Sequence, residues 1–167
     1  YNEAKQLKKL LSSYNVPLII NDRLDIALAI DADGLHIGQH DLPYPVARKL
    51  LGENKIIGLS VENLQDIQES NNWDVDYIGL SPVFDTSTKT DTAKALGLDG
   101  VQTLTSLAKH PSVGIGGINL SNAAKIIQAG ADGVAVVSAI MSHPNPLQAA
   151  KELKTIILNH KNSYEKI

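Results

Sequence analysis

Three places in this 167-residue chain combine residue types that can do chemistry. Asn21-Asp22-Arg23 leaves one apolar run and enters LDIALAI. Amide and carboxylate oxygens there are hard ligands for a divalent cation. The same residues would also cap the helix that follows, and spacing alone leaves both readings open. Asp41 repeats the arrangement in Gly38-Gln39-His40-Asp41, after a second apolar run. One carboxylate on each of two neighbouring strand tips suits Mg²⁺, which commonly takes one or two carboxylates together with phosphate oxygens. The third place is Asp85-Thr86-Ser87-Thr88-Lys89-Thr90, where four hydroxyls and an ammonium suit a phosphate or pyrophosphate. An ordinary exposed Ser/Thr loop is the alternative there.

Smaller signals accompany these. Ser60 is a small polar residue in an apolar run, placed either to touch a ligand or to bond backbone. Gly116-Gly117-Ile118-Asn119 and Val137-Ser138-Ala139 end two consecutive late runs. Exposed backbone N–H groups with helix N-termini behind them would form a phosphate cup; tight packing and capping are the alternative. KTDTAKALGL, starting at Lys89, reads as a mobile loop and a lid that excludes water. His36 lies inside an apolar run, where a hydrogen-bonded core role outweighs that of a catalytic base, and His40 reads as a solvated loop residue.

These residues need elements to position them. Six apolar runs, at 16–20, 34–38, 55–61, 75–83, 112–116 and 133–138, alternate with amphipathic helical segments. The runs are rich in Val and Ile with little alternation in polarity, which predicts strands buried on both faces. Alternating strand and helix predicts parallel strands with right-handed crossovers. Three of the runs are announced by an acid, at Asp33, Asp76 and Asp132, the mark of one repeated supersecondary unit. An open doubly wound sheet and a (β/α)₈ barrel both fit. No Gly-x-Gly-x-x-Gly follows a first strand, and the late GIGGI turn suits the phosphate site of a barrel better. Function would sit at the carboxyl ends of the strands in either case. The first residues, YNEAKQLKKLLSSY, already read as a helix with Leu7, Leu10, Leu11 and Tyr14 on one face. The expectation is a single, partial TIM-barrel domain over 1–167, an N-terminally truncated (β/α)₈ barrel of about six βα units.

Composition excludes several classes. The chain is 43% hydrophobic with a formal net charge of −3, enough apolar residues for a core and no excess of basic ones for nucleic acid or a membrane surface. It has no Cys, so disulfides, thiolate metal sites and cysteine nucleophiles are ruled out. Apolar stretches are too short for a membrane span, and a cytoplasmic setting is the expectation. Homo-oligomerisation is left open.

In order, the segments PLIINDRLDIALAIDADGLHIGQHDLP, IIGLSV, YIGLSPVFDTSTKTDTAKALGL and GIGGINLSNAAKIIQAGADGVAVVSAI resemble thiamine-phosphate synthase. The resemblance implies a (β/α)₈ barrel joining an aminopyrimidine methyl pyrophosphate to a thiazole phosphate, with Mg²⁺ as cofactor and pyrophosphate released. It implies that Asp22 and Asp41 ligate Mg²⁺ and that Asn21 and Ser60 contact the pyrimidine substrate. Thr86 and Thr88 would hold the thiazole phosphate, and Lys89 would bind the pyrophosphate. Ser60 and Lys89 are the residues implied in catalysis. Gly117, Val137 and Ser138 would line the thiazole-phosphate cup. The family's first two strands, with their Gln-x-Arg-x-Lys run, have no counterpart, so the chain alone is expected to be inactive. Ser81 and Asp85 stand where the family more usually has Gly and Pro. A thiazole tautomerase relative and a non-catalytic phosphate-binding barrel are the alternatives.

Overall fold

The computed structural model describes residues 1–85 and 94–161. The chain runs through α1 (Asn2–Ser12), β1 (Ile19–Asn21), α2 (Leu24–Ala29), β2 (Gly34–Ile37), α3 (Tyr44–Leu51), β3 (Ile56–Val61) and α4 (Leu64–Ser70). It continues through β4 (Tyr77–Leu80), α5 (Gly97–Leu107), β5 (Ser112–Ile115), α6 (Ala123–Gln128), β6 (Gly133–Ala135), α7 (Ser138–Met141) and α8 (Pro146–Lys161).

All six strands are parallel and lie in the order β1-β2-β3-β4-β5-β6. That order separates the two architectures. A doubly wound sheet reverses direction at a switch point, whereas a sheet growing one neighbour at a time does not. Right-handed crossovers in a steadily growing sheet carry every helix to the same face. The result is the α/β arrangement of a TIM-like barrel, with six of its βα units and with β1 and β6 as edges among the described strands.

The strands do not bury the same kind of surface on both faces, as their composition suggested. Leu35, Ile37, Ile57, Leu59, Val61, Ile78 and Leu80 all face the helices and are buried. Burying each such side chain contributes about 1.5–3 kcal/mol relative to leaving it in water. They join one core with Ala27, Ala47, Val101, Leu104, Ala123, Ile126 and Leu153 of the helices. The concave face instead carries Asn21, His36, Gly58 and Tyr77, which stand opposite one another in register. The alternation is real but muted, because Ile19, Ile56 and Val113 share the concave face with these polar residues and glycines.

The repeated acids are anchors at the amino ends of the strands. Asp33 Oδ2 accepts from Leu18 N–H at 2.7 Å, Asp76 Oδ2 from Ile57 N–H at 2.8 Å and Asp132 Oδ2 from Ser112 N–H at 2.8 Å. In each case the acid's own N–H donates back to the carbonyl of the same residue. Each pair ties the start of one strand to the start of its predecessor, far from the carboxyl ends. At the N-terminus, α1 buries no residue, and Leu7, Leu10 and Tyr14 remain exposed, so the expected apolar face does not reach the core. Among the described residues no helix is long and apolar enough to cross a membrane.

Candidate active site

Parallel strands deliver all their carboxyl ends to one side, and the sequence candidates collect there. Asn21 is the last residue of β1, and Asp22 extends the strand by one hydrogen bond, its N–H reaching His36 O at 2.8 Å. The chain then turns abruptly. Arg23 N–H returns to Asn21 O at 2.7 Å across Asp22, whose φ is 63°, and Leu24 N–H returns to Asp22 O at 3.1 Å. A γ-turn of this hand around a non-glycine residue is strained by about 1–3 kcal/mol, and such strain concentrates at functional sites. The N-cap of α2 is Arg23, and that of α3 is Pro43. Neither Asn21, Asp22 nor Asp41 therefore occupies a capping position.

Asp41 belongs to the neighbouring tip. Its Oδ2 folds back to accept from Gly38 N–H at 2.7 Å, just beyond the end of β2. A methyl group built on Gly38 would lie 3.1 Å from that oxygen and 4.0 Å from Ser60 Oγ, so carboxylate, bare backbone and hydroxyl share one corner. Gln39 Nε2 donates to Ser60 O at 2.5 Å and holds this corner against β3.

Beneath it lies a polar chain that composition alone did not reveal. Ser60 Oγ is 3.0 Å from His36 Nε2, and His36 Nδ1 is 3.0 Å from the Tyr77 hydroxyl. The two rings stack with centroids 5.5 Å apart at 30°. Burial lowers the pKa of His36, opposed by the charge of Asp41, and burial raises that of Tyr77, helped by Asp76. Both shifts favour the neutral forms. His36 is thus hydrogen-bonded, as its position inside a strand suggested, but on the concave face rather than in the apolar core. Tyr77 was overlooked; the signal was its place two residues before Gly79, in phase with Gly58 and Ser60.

The later tips contribute backbone. Gly116 and Gly117 turn at φ 100° and 63°, conformations that a side chain disfavours, and a Cβ on Gly117 would lie 2.7 Å from Asp85 O. This turn does not open a helix directly, as its position suggested, because α6 begins at Ala123. Asn122 clamps it instead, donating Nδ2 to Gly117 O at 3.0 Å while Oδ1 accepts from Asn119 N–H at 2.8 Å. Val137 and Ser138 are exposed beyond β6, and Ser138 opens the short α7. Thr86, Thr88 and Lys89, with the first half of the lid segment, lie outside the described residues, and the segment's last two residues already belong to α5. Asp22, Asp41 and Ser60 are brought to three consecutive tips; Gly117, Val137 and Ser138 lie along the same rim on β5 and β6.

Among the described residues no three His, Cys, Asp or Glu groups converge on a metal position. Asp22 and Asp41, on adjacent tips, are of the donor type that Mg²⁺ takes together with phosphate oxygens.

Comparison with known proteins agrees with this geometry. The family model for thiamine monophosphate synthase matches residues 1–140. The chain is 46% identical over 156 residues to the thiamine-phosphate synthase of Clostridium novyi, covering 93% of the chain and 76% of that protein. It is 51% identical over 156 residues to that of Syntrophomonas wolfei, covering 93% and 75%. It superimposes on the thiamine phosphate pyrophosphorylase of Pyrococcus furiosus with a TM-score of 0.87 and 38% identity, covering 96% of this chain and 76% of that one. These matches favour the synthase over the tautomerase and the non-catalytic barrel. The chain therefore belongs to the thiamine-phosphate synthase family, whose members are transferases of thiamine biosynthesis.

Proposed function

We propose that the chain joins a hydroxymethylpyrimidine pyrophosphate to a hydroxyethylthiazole phosphate by a dissociative, Mg²⁺-assisted path. Asp22 and Asp41 hold the cation and Asn21 the pyrophosphate end of the pyrimidine substrate. Mg²⁺, when bound, neutralises the charge that develops on the departing pyrophosphate. Lys89 adds its ammonium to the same leaving group. The bond from the pyrimidine methylene carbon to the pyrophosphate oxygen breaks, and its electron pair leaves with the pyrophosphate. The thiazole nitrogen then supplies a lone pair to that carbon. No proton is lost in this capture, so no general base is required. Ser60 faces the pyrimidine side. Thr86, Thr88 and the backbone at Gly117, Val137 and Ser138 hold the thiazole phosphate. Both substrates are phosphorylated and do not cross membranes freely, which supports a cytoplasmic setting.

The observation that carries this reading is the pair of carboxylates on adjacent tips. The Asp22 backbone N–H is bonded to His36 O near the end of β2, and the Asp41 carboxylate is folded onto Gly38 two residues further along. The test is turnover against Mg²⁺ concentration for Asp22→Asn and Asp41→Asn. Losing one ligand should forfeit about 3 kcal/mol of charge stabilisation, roughly a hundredfold in kcat/KM, and raise the Mg²⁺ requirement. Unchanged turnover at low Mg²⁺ in either variant rejects the ligand role.

A further inference from the structure

The Ser60–His36–Tyr77 chain has a direction, and that direction assigns work to two residues outside the proposed ligand set. We propose that His36 and Tyr77 are positioning residues for Ser60. Tyr77 O–H donates to His36 Nδ1, His36 Nε2–H donates to Ser60 Oγ, and the serine proton stays available to the bound pyrimidine substrate. The inference rests on the reading of Ser60 given above.

A neutral imidazole has one donor and one acceptor nitrogen, so two contacts of 3.0 Å leave two arrangements. In the reverse arrangement His36 donates to Tyr77, and Ser60 spends its only proton on Nε2. The serine could then only accept, and the phenolic proton of Tyr77 would need another acceptor. Each arrangement leaves one hydroxyl proton over: the reverse leaves that of Tyr77, and the forward leaves that of Ser60, which stands two residues nearer the carboxyl-end rim where a substrate can take it.

Packing keeps the chain in place. Gly58 leaves room for the Tyr77 ring, whose Cζ lies 2.1 Å from where a Cβ would stand. Gly79 does the same for the imidazole, with Cε1 at 3.1 Å. Atoms of the Tyr77 and His36 rings therefore occupy the space above Gly58 of β3 and Gly79 of β4. Gln39 fixes the main chain at Ser60 from the other side. A serine in a strand would otherwise choose among three rotamers.

The test combines a mutant cycle with a direct view of the ring. Tyr77→Phe removes one oxygen and keeps the stack. It should lower kcat roughly three- to tenfold with KM for the pyrimidine substrate nearly unchanged. In a Ser60→Ala background the same substitution should have almost no effect. An equal loss in both backgrounds overturns the chain. His36→Gln, whose amide can donate from the position of Nε2, should keep most of the kcat that His36→Leu loses; equal loss in the two counts against it. Ring ¹⁵N NMR of the full-length protein at neutral pH should show protonated Nε2 and bare Nδ1, and the opposite tautomer overturns the proposal without reference to activity. If Ser60→Ala alone leaves kcat unchanged, the reading of Ser60 fails, and this inference falls with it whichever tautomer is seen.

Discussion

Replacing Gly58 by Ala puts one methyl group where the structure has no room for it. An ideal Cβ there stands 2.1 Å from Tyr77 Cζ and 2.5 Å from both Cε1 and the hydroxyl oxygen. Ordinary contact needs about 3.5–4.0 Å, so the ring must retreat by about 1.5 Å. The Tyr77–His36 bond of 3.0 Å does not survive such a shift. Overpacking costs about 1–3 kcal/mol, and the lost bond about 0.5–1.5 kcal/mol. The stiffer unfolded chain returns about 0.4–1 kcal/mol. The net loss is about 1–3 kcal/mol, or roughly 2–12 °C in Tm for a chain of this size. Thermal unfolding by circular dichroism reads the stability, and steady-state kinetics should show kcat falling as in Tyr77→Phe. In a Tyr77→Ala background the three atoms nearest the methyl are gone, so Gly58→Ala should become neutral or stabilising. A Tm within one degree of the parent, or the same loss with and without the tyrosine ring, would refute the geometry.

Three further outcomes follow from named contacts. Asp132→Ala removes the acceptor for Ser112 N–H at the amino ends of the strands, so it should cost about 1–2 kcal/mol in urea unfolding; a drop in kcat at unchanged stability would contradict that placement. The Leu18 N–H and then the Lys8 ammonium hold the Asp33 carboxyl below its usual range. Its stabilisation is therefore complete above about pH 4 and fades as pH falls through the folded-state value, and Asp33→Asn should flatten that acid limb of the urea midpoint. Asn122→Ala frees the carbonyl of Gly117 and the N–H of Asn119. It should raise KM for the thiazole phosphate about three- to tenfold and leave that for the pyrimidine substrate alone; the opposite pattern would remove the loop from the thiazole side.

The acids before strands show where reading along the chain stops short. Asp33, Asp76 and Asp132 stand out as a repeat, yet nothing local says that each carboxylate reaches the start of the preceding strand. Asn21 and Asp22 are legible as polar residues leaving a strand. That the cap falls on Arg23 and that Asp22 sits at φ 63° depends on how tightly the turn closes. The GIGGI turn is legible from its glycines, whereas the Asn122 clamp five residues away needs the folded loop.

The order of the six strands, the main helices between them and the rim candidates among the described residues were contained in the primary structure; which apolar residues face the helices was not. Local hydrophobic periodicity defines each unit, and a parallel arrangement sends every strand exit to the same side whatever the remaining details. The partnership of Ser60, His36 and Tyr77 was not contained there. These residues lie 24 and 41 positions apart along the chain, and they meet because His36 registers against Gly58 and Gly58 against Tyr77. Register is a collective property of neighbouring strands, settled by the whole buried face at once, and a slip of one residue would turn all three side chains into the helices.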